Sequence, residues 1–180
     1  YCFPLDSARF SPSSAAQFPL GRTDSLMGVR QILTGWGRTS ATSGTVELLR
    51  SEELAEVIAG TPCGPRGAIA RGLGRAYGDS AQNGGGTVIR LQPSVNPVWI
   101  DTDAGTATVD AGVSFDELLR RIVPHGFFVP VTPGTRFVTV GGAIARDVHG
   151  KGHPTDRTFG HPAAALDIVR PDGAARRYAP

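Results

Sequence analysis

The sequence has no long hydrophobic run and little net charge. None of its apolar stretches reaches the roughly 18 residues that a membrane-spanning helix needs. Near the N-terminus the sequence also lacks the apolar run that a secretory signal contains. The formal net charge is +2 over 180 residues, which gives no electrostatic case for a nucleic-acid partner. These absences do not decide where the protein is located, and both the cytoplasm and a membrane-associated position in the cell envelope remain as alternatives.

Cysteine is also scarce, with only Cys2 and Cys63. Cys2 lies in residues 1–30, which are rich in Ser, Pro and Ala, show no hydrophobic periodicity and are expected to be a disordered leader. A structural disulfide is therefore not expected. Residues 31–180 are expected to be one domain, incomplete at its C-terminus because the sequence stops within a predicted strand pair.

Glycine and proline are abundant, with 24 and 14 residues. The chain is 40% hydrophobic and 19% charged, the balance of a globular domain with a core. Together these values favour a loop-rich α+β or α/β domain in which the backbone approaches a ligand closely.

Hydrophobic periodicity and capping residues predict alternating helices and strands. Ser51 and Gly60 are expected to bound the first helix, and Ser114 with Glu117 forms a capping box for the second. Thr139 is expected to cap the third. The predicted helices cover residues 51–60, 114–122 and 139–145. The predicted strands cover residues 45–50, 68–70, 87–91, 98–101, 106–110, 127–131, 166–170 and 174–178. Trp36 and Trp99 are interpreted as core anchors.

The stretch RGLGRAYGD, residues 71–79, has three glycines between and after two arginines. Backbone N–H groups in such a loop can converge on an anion, and Arg71 and Arg75 can pair with phosphate oxygens. Four arginines and one aspartate between residues 66 and 90 leave a local charge of +3, which suits a pyrophosphate. Arg38 is a further phosphate candidate. An ordinary glycine-rich turn remains the alternative.

Two common phosphate motifs do not fit this chain. The glycine spacing at 72, 74 and 78 differs from G-x-G-x-x-G, and residues 79–86 contain too many helix breakers to open a helix. His149-Gly150-Lys151 is followed by glycine rather than Ser or Thr, so it is not a P-loop.

A second glycine-containing stretch covers residues 133–150. Gly134 follows a proline, and Gly141-Gly142 would let the backbone approach a flat ligand, while the expected helix start at Thr139 offers an anion site. Packing of a helix on a strand through small residues is the alternative.

Taken together, these segments resemble the FAD-linked oxidases of the vanillyl-alcohol oxidase superfamily, and most of all its oxidases of decaprenyl-linked sugars. The likeness runs from about Ile32 to the C-terminus. It is carried by LTGWGR (33–38), RGAIARGLGR (66–75), YGD (77–79), AQNGGG (81–86), PGTR (133–136), VTVGGAIA (138–145) and DVHGK (147–151).

The resemblance implies an α+β FAD-binding domain of the PCMH type, with two α/β subdomains that hold an extended FAD. Tyr77 would lie near the sugar, and His149 would lie near the substrate and the flavin as a catalytic group. The implied FAD contacts are Ala70, Arg71, Gly72, Leu73, Gly74, Arg75, Ala76, Tyr77, Gly78, Asp79, Ser80, Gly134, Thr139, Val140, Gly141, Gly142, Arg146, Asp147, Val148 and His149.

The implied reaction is oxidation of the 2′-hydroxyl of a decaprenylphosphoryl ribose, a precursor of actinobacterial cell-wall arabinan, with a reductase partner that completes an epimerisation. FAD is expected to be non-covalent, because Arg75 stands where many relatives carry a flavin-linked His. Arg146 stands where close relatives carry Cys. Another sugar or aldonolactone oxidase of the superfamily, or a non-catalytic flavin-binding fragment, remains an alternative.

A metal site is the remaining alternative chemistry. His149, His153 and His161 could join Asp147 and Asp156, but glycines and a proline among them disfavour the helix that would align the first two imidazoles. No metal is expected.

Overall fold

The computed structural model describes residues 28–60, 65–150 and 158–179. In these ranges the chain forms a four-stranded sheet, two β-hairpins, three α-helices and one 3-10 turn. The elements are β1 (Val29–Thr34), β2 (Ala41–Leu49), α1 (Ser51–Gly60), β3 (Ala68–Ala70), β4 (Thr87–Leu91), β5 (Val98–Asp101), β6 (Thr106–Val109), α2 (Phe115–Ile122), the 3-10 turn (Val123–His125), α3 (Val140–Ala145), β7 (Leu166–Val169) and β8 (Ala175–Tyr178).

The four-stranded sheet has the order β1-β2-β4-β3. β1 is antiparallel to β2, while β4 is parallel to both of its neighbours. Parallel neighbours need a long connection, and β3 reaches β4 through the glycine-rich residues 71–86 instead of a helix. The sheet therefore holds both ends of this segment at fixed positions.

Both faces of the sheet carry small hydrophobic clusters, which we call the first core. Side chains alternate between faces along a strand, so neighbouring residues such as Val88 and Ile89 enter different clusters. One cluster contains Leu33, Val46 and Val88, and the other contains Leu49 and Ile89 with Val57 of α1.

The larger second core gathers around α2 and α3. Phe115 is 1% exposed, and its ring centroid lies 4.7 Å from that of Phe159. The other buried members of this cluster are Ala107, Val113, Leu118, Ile122, Val129, Val131, Val140 and Ala143.

Most predicted elements are confirmed. The strands at 68–70 and 87–91 and the helix at 51–60 have the predicted bounds, and Ser114 caps α2 by accepting the N–H of Glu117 at 3.2 Å. The hairpins β5–β6 and β7–β8 and the short helix α3 are also present.

Three expectations about the elements need correction. The predicted strand at 127–131 is wrong: Val129 and Val131 are buried in the second core, but the segment is not a strand, since no neighbouring strand pairs with it among the described residues. Ser51 is the first helical residue rather than the cap, and the N–H of Arg50 donates instead to Glu53 Oε2 at 2.8 Å. β1 was not predicted, and its first strand residue, Val29, lies before the expected domain start at residue 31. Residues 1–27 of the expected leader lie outside the described ranges.

Candidate functional site

The glycine loop, residues 71–80, leaves β3 and is held internally by Arg71. The Arg71 N–H donates to Ile89 O at 2.8 Å, which continues the β3–β4 pairing by one step. The guanidinium of Arg71 donates from Nη1 to Ala81 O and from Nη2 to Thr34 O, each at 2.7 Å. This one side chain therefore joins the end of β1 to both ends of the loop.

Arg71 lies against Gly74, which has a φ of +69°. A Cβ at Gly74 would lie 2.4 Å from Arg71 Nη2, so the loop can close over the guanidinium only with glycine there. Burial, and then the charge of Arg90, lower the pKa of Arg71. Arg71 nevertheless remains charged at neutral pH, because guanidinium does not deprotonate in proteins.

The turn between β1 and β2, residues 35–40, packs against the glycine loop. The N–H of Trp36 donates to Ala76 O at 2.8 Å. A Cβ at Gly35 would lie 2.1 Å from Gly78 O, so the two backbones are in direct contact. The guanidinium of Arg75 lies 5.0 Å from the ring centroid of Trp36, within the range of a cation–π contact.

Between this turn and the glycine loop lies an open cleft of about 460 Å³, which we call the arginine cleft. No acidic side chain from the described ranges lines it. The charge of the cleft is therefore positive and suits an anion. Its lining residues are Thr34, Gly35, Trp36, Arg38, Arg71, Leu73, Gly74 and Arg75.

The other side of the glycine loop contacts the start of α3. Thr139 Oγ1 accepts the N–H of Gly142 at 3.1 Å and so caps the helix, as predicted. A Cβ at Gly72 would lie 2.5 Å from the same Oγ1. Since any side chain at Gly72 would displace Thr139, the loop and the helix start are matched to each other.

A second link joins the glycine loop to the C-terminal end of α3. Arg146 Nη2 donates a hydrogen bond to Ser80 Oγ. Arg146 is the C-cap residue of α3, and Asp147 follows it with a φ of +45°. The structure thus brings together the two glycine-containing stretches that the sequence indicated separately.

The predicted site residues differ widely in exposure. Tyr77 is 86% exposed, and the side chain of His149 is also exposed. The buried members are Gly74, Thr139 and Val140. The half-buried members are Arg71, Gly72, Ala76, Gly141, Gly142 and Val148. The remaining exposed members are Ala70, Leu73, Arg75, Gly78, Asp79, Ser80, Gly134, Arg146 and Asp147.

Sequence reasoning missed the part played by Trp36 and Asn83. Trp36 and Trp99 are 56% and 53% exposed, so their interpretation as core anchors is wrong. Trp36 lines the arginine cleft instead, and its position between two glycines was the available signal. The buried amide of Asn83 donates to the carbonyls of Arg66, Gly67 and Thr87 and so holds the far end of the β3–β4 connection.

The described part of the chain contains no cluster of three or more His, Cys, Asp or Glu side chains that could hold a metal. His153 and Asp156 of the alternative metal site lie outside the described residues. No helix within the described ranges is both long enough and apolar enough to cross a membrane.

Comparison with known proteins connects this geometry to a family. Residues 43–178 match the model of an FAD-binding domain. This chain belongs to the FAD-binding domain family. It is 46% identical over 151 residues to the decaprenylphosphoryl-β-D-ribose oxidase of Mycolicibacterium smegmatis, covering 82% of this chain and 33% of that protein. It is 32% identical over 131 residues to an alditol oxidase of a Streptomyces species, covering 72% of this chain and 31% of that protein.

The chain thus spans about a third of the length of these relatives. The expected likeness to FAD-linked oxidases is confirmed, and FAD is the cofactor of the domain. The residues present fit this cofactor. Arg38 and Arg75 supply cations for phosphate, and the lack of a Cβ at Gly72 and Gly142, which would lie 2.5 Å and 2.9 Å from Thr139 Oγ1, lets the glycine loop pack closely against the capped start of α3.

Proposed function

We propose that the protein is an FAD-dependent oxidoreductase that oxidises the 2′-hydroxyl of a decaprenylphosphoryl ribose. The observation that carries this proposal is the 46% identity to a decaprenylphosphoryl-β-D-ribose oxidase over 82% of the chain. The likeness includes the glycine loop and the α3 segment, which the structure brings into contact through Gly72 and Thr139.

In this proposal the first and second cores are the two α/β subdomains, and FAD lies along their junction. The glycine loop would hold the pyrophosphate and ribose through its backbone. Gly134, Thr139–Gly142 and the chain at Arg146–His149 would line the rest of the cofactor. The Arg71 bonds to Ala81 O and Thr34 O support a loop that is shaped before FAD arrives, which lowers the ordering cost of binding.

Oxidation of a secondary alcohol removes a hydride from carbon and a proton from oxygen. FAD, when bound, supplies the acceptor for the hydride. His149 would accept or relay the hydroxyl proton, since an imidazole nitrogen can take up a proton and pass it on. The exposed Tyr77 phenol would hydrogen-bond the sugar and orient its hydroxyl. A separate reductase would then reduce the ketone from the opposite face and complete an epimerisation.

A second candidate is oxidation of a free sugar or alditol, favoured by the 32% identity to an alditol oxidase. The two candidates are separated by anaerobic reduction of the flavin. We expect decaprenylphosphoryl ribose to bleach the visible flavin absorbance of the purified protein, and alditols to leave it unchanged. If alditols bleach the flavin and decaprenylphosphoryl ribose does not, the protein would be an alditol or sugar oxidase instead.

His149 provides the test of the catalytic assignment. We expect His149→Ala to retain FAD and to slow anaerobic flavin reduction by about 100-fold or more, the usual contribution of a proton-transfer group. His125→Ala is the matched control, because this exposed histidine lies in the 3-10 turn after α2. Reduction at the unaltered rate in the His149 variant would remove this residue from the mechanism.

The cofactor is proposed to be non-covalent, since residues 71–80 contain neither His nor Cys to form a flavin link. Acid precipitation of the yellow protein should leave all flavin in the supernatant. Flavin that stays with the precipitated polypeptide would show a covalent bond and contradict the proposal.

A further inference from the structure

The segment that leads into α3 pairs with the segment that leads into α2. The N–H of Phe115 donates to Val138 O at 2.9 Å. The N–H of Asp116 donates to Arg136 O at 3.0 Å. The capping residues of the two helices lie opposite each other in an antiparallel bridge. Because the first N–H groups of a helix have no acceptor within it, residues 136–138 supply the acceptors that the start of α2 needs.

The carboxylate of Asp116 makes a second bond to the same arginine. Its Oδ1 accepts from Arg136 Nε at 3.0 Å, while its Oδ2 accepts from Arg120 Nε at 3.1 Å within α2. The side chain of Asp116 is only 22% exposed, although that of Arg136 is 59% exposed. Asp116 therefore holds Arg136 through both the backbone and the side chain of that residue.

The guanidinium of Arg136 also contacts Phe137. It lies 5.2 Å from the centroid of that ring, within the range of a cation–π contact. The N–H of Phe137 donates to Thr135 Oγ1 at 3.2 Å. Within the described ranges, no hydrogen bond joins residues 133–135 to another segment of the chain. The contact between Asp116 and Arg136 is therefore the hydrogen-bonded anchor that follows them most closely.

The loop held in this way covers residues 134–139 and lies between two positions proposed to line FAD. Gly134 begins it, and Thr139 ends it by capping α3. A cofactor contact is effective only within a narrow range of positions, and the residues behind it determine that position. Neither Asp116 nor Arg136 is among the proposed FAD contacts, and both lie directly behind them.

We infer that Asp116 is a positioning residue for the cofactor. Through Arg136 it fixes residues 134–139 against α2, and so it determines how closely this loop contacts bound FAD. The inference rests on the proposed function, in which Gly134 and Thr139 line the cofactor.

The alternative is a structural role limited to α2. Asp116 places a negative charge in the first turn of this helix and bonds to Arg120 four residues on, and both features stabilise a helix. Glu117 has the same two features, since it also lies in the first turn and pairs with Arg121 at 3.1 Å. No hydrogen bond or ion pair joins the side chain of Glu117 to residues 134–139. Glu117 is therefore the matched control.

The experiment compares Asp116→Asn with Glu117→Gln by amide hydrogen exchange and by FAD titration. Both variants should lose a similar amount of thermal stability. Only Asp116→Asn should speed exchange at residues 134–139 in the protein without FAD, by about threefold, the size expected for a partly exposed ion pair. It should also weaken FAD binding by about threefold and change the visible circular dichroism of the bound flavin. Arg136→Gln should have the same effects, and the double variant should lose no more than either single variant.

Each opposite outcome overturns the inference. Equal exchange rates at residues 134–139 in the Asp116 and Glu117 variants would leave only the structural role in α2. Unchanged FAD affinity and unchanged flavin dichroism in Asp116→Asn would show that the loop position does not affect the cofactor. Additive losses in the double variant would show that Asp116 does not act through Arg136. None of these measurements includes a substrate, so failure of the proposed oxidation would be seen separately, in the flavin-reduction assay.

Discussion

The two cores of this protein are stabilised in different ways. The second core, around α2 and α3, contains ten buried hydrophobic residues among those described, including the Phe115–Phe159 ring contact. Each buried cluster of the first core has only three such residues within the described ranges. Around the first core, the connection between β3 and β4 is held instead by bonds to backbone carbonyls, from Arg71 at the start of the glycine loop and from Asn83 at the far end.

This difference relates to what each region has to do. Packed side chains stabilise without leaving space, which suits a supporting core. A ligand loop must keep its N–H groups and cations accessible, so its shape has to come from directed hydrogen bonds and from glycines that permit close backbone contact. Changes in the second core should therefore affect stability, while changes around the loop should affect binding.

The largest effect is expected in the second core. Phe115→Ala should lower the free energy of unfolding by about 3–5 kcal/mol, because it removes a buried ring and leaves a cavity. Leu33→Ala in the smaller first core should cost about 2 kcal/mol, the lower end for a buried leucine. Denaturant unfolding of both variants measures the difference. Equal losses would mean that the two cores do not differ as described.

Arg71→Lys is expected to have the next largest effect. Lysine cannot donate along two fixed directions to Ala81 O and Thr34 O, so at least one charge-assisted bond is lost, worth about 1.5–3 kcal/mol. FAD affinity should fall with stability, since the loop loses its internal support. Thermal unfolding and FAD titration test this, with Arg176→Lys as control. A variant with unchanged stability and reduced FAD affinity would make Arg71 a direct phosphate ligand instead.

Substitutions at two helix caps should distinguish an effect on protein stability from an effect on FAD binding. Thr139→Ala and Ser114→Ala each remove one cap and should each cost about 1 kcal/mol of stability. Only Thr139 also contacts the glycine loop at Gly72, so only Thr139→Ala should reduce FAD affinity, and Thr139→Ser should restore it. Equal changes in FAD affinity in the Thr139→Ala and Ser114→Ala variants would contradict the prediction that only Thr139 supports the glycine loop.

The smallest expected effect is a gain in stability. Arg38→Gly should raise the free energy of unfolding by up to about 1 kcal/mol, since glycine adopts a φ of +53° without strain. Arg38→Ala keeps the strain and should show no such gain. Thermal unfolding of the two variants is the measurement. Equal stabilities would show that the backbone at Arg38 is not strained.

Local elements could be predicted from the sequence because their signals are local. The capping residue Ser114 marks the start of α2, and the short apolar run at 87–91 marks both ends of β4. Both elements are confirmed. The segment 127–131 has strand-like residues, but a strand needs a neighbour to pair with, and the chain packs there against α2 instead. The prediction that Trp36 is a core residue is wrong for the same reason. The burial of a side chain depends on its three-dimensional neighbours, which a short stretch of sequence does not contain.

The sequence by itself determined that a glycine loop with two arginines and a second glycine-containing helix start are present, since glycine spacing and capping residues are local properties. Only the tertiary structure decided what these residues contact. It turned Arg71 toward two backbone carbonyls, set Gly72 against Thr139, and placed Arg38 and Trp36 beside the loop to form a cleft. The physical reason is that hydrogen-bond partners come from chain segments far apart in sequence, and the sheet order β1-β2-β4-β3 decides which of them meet.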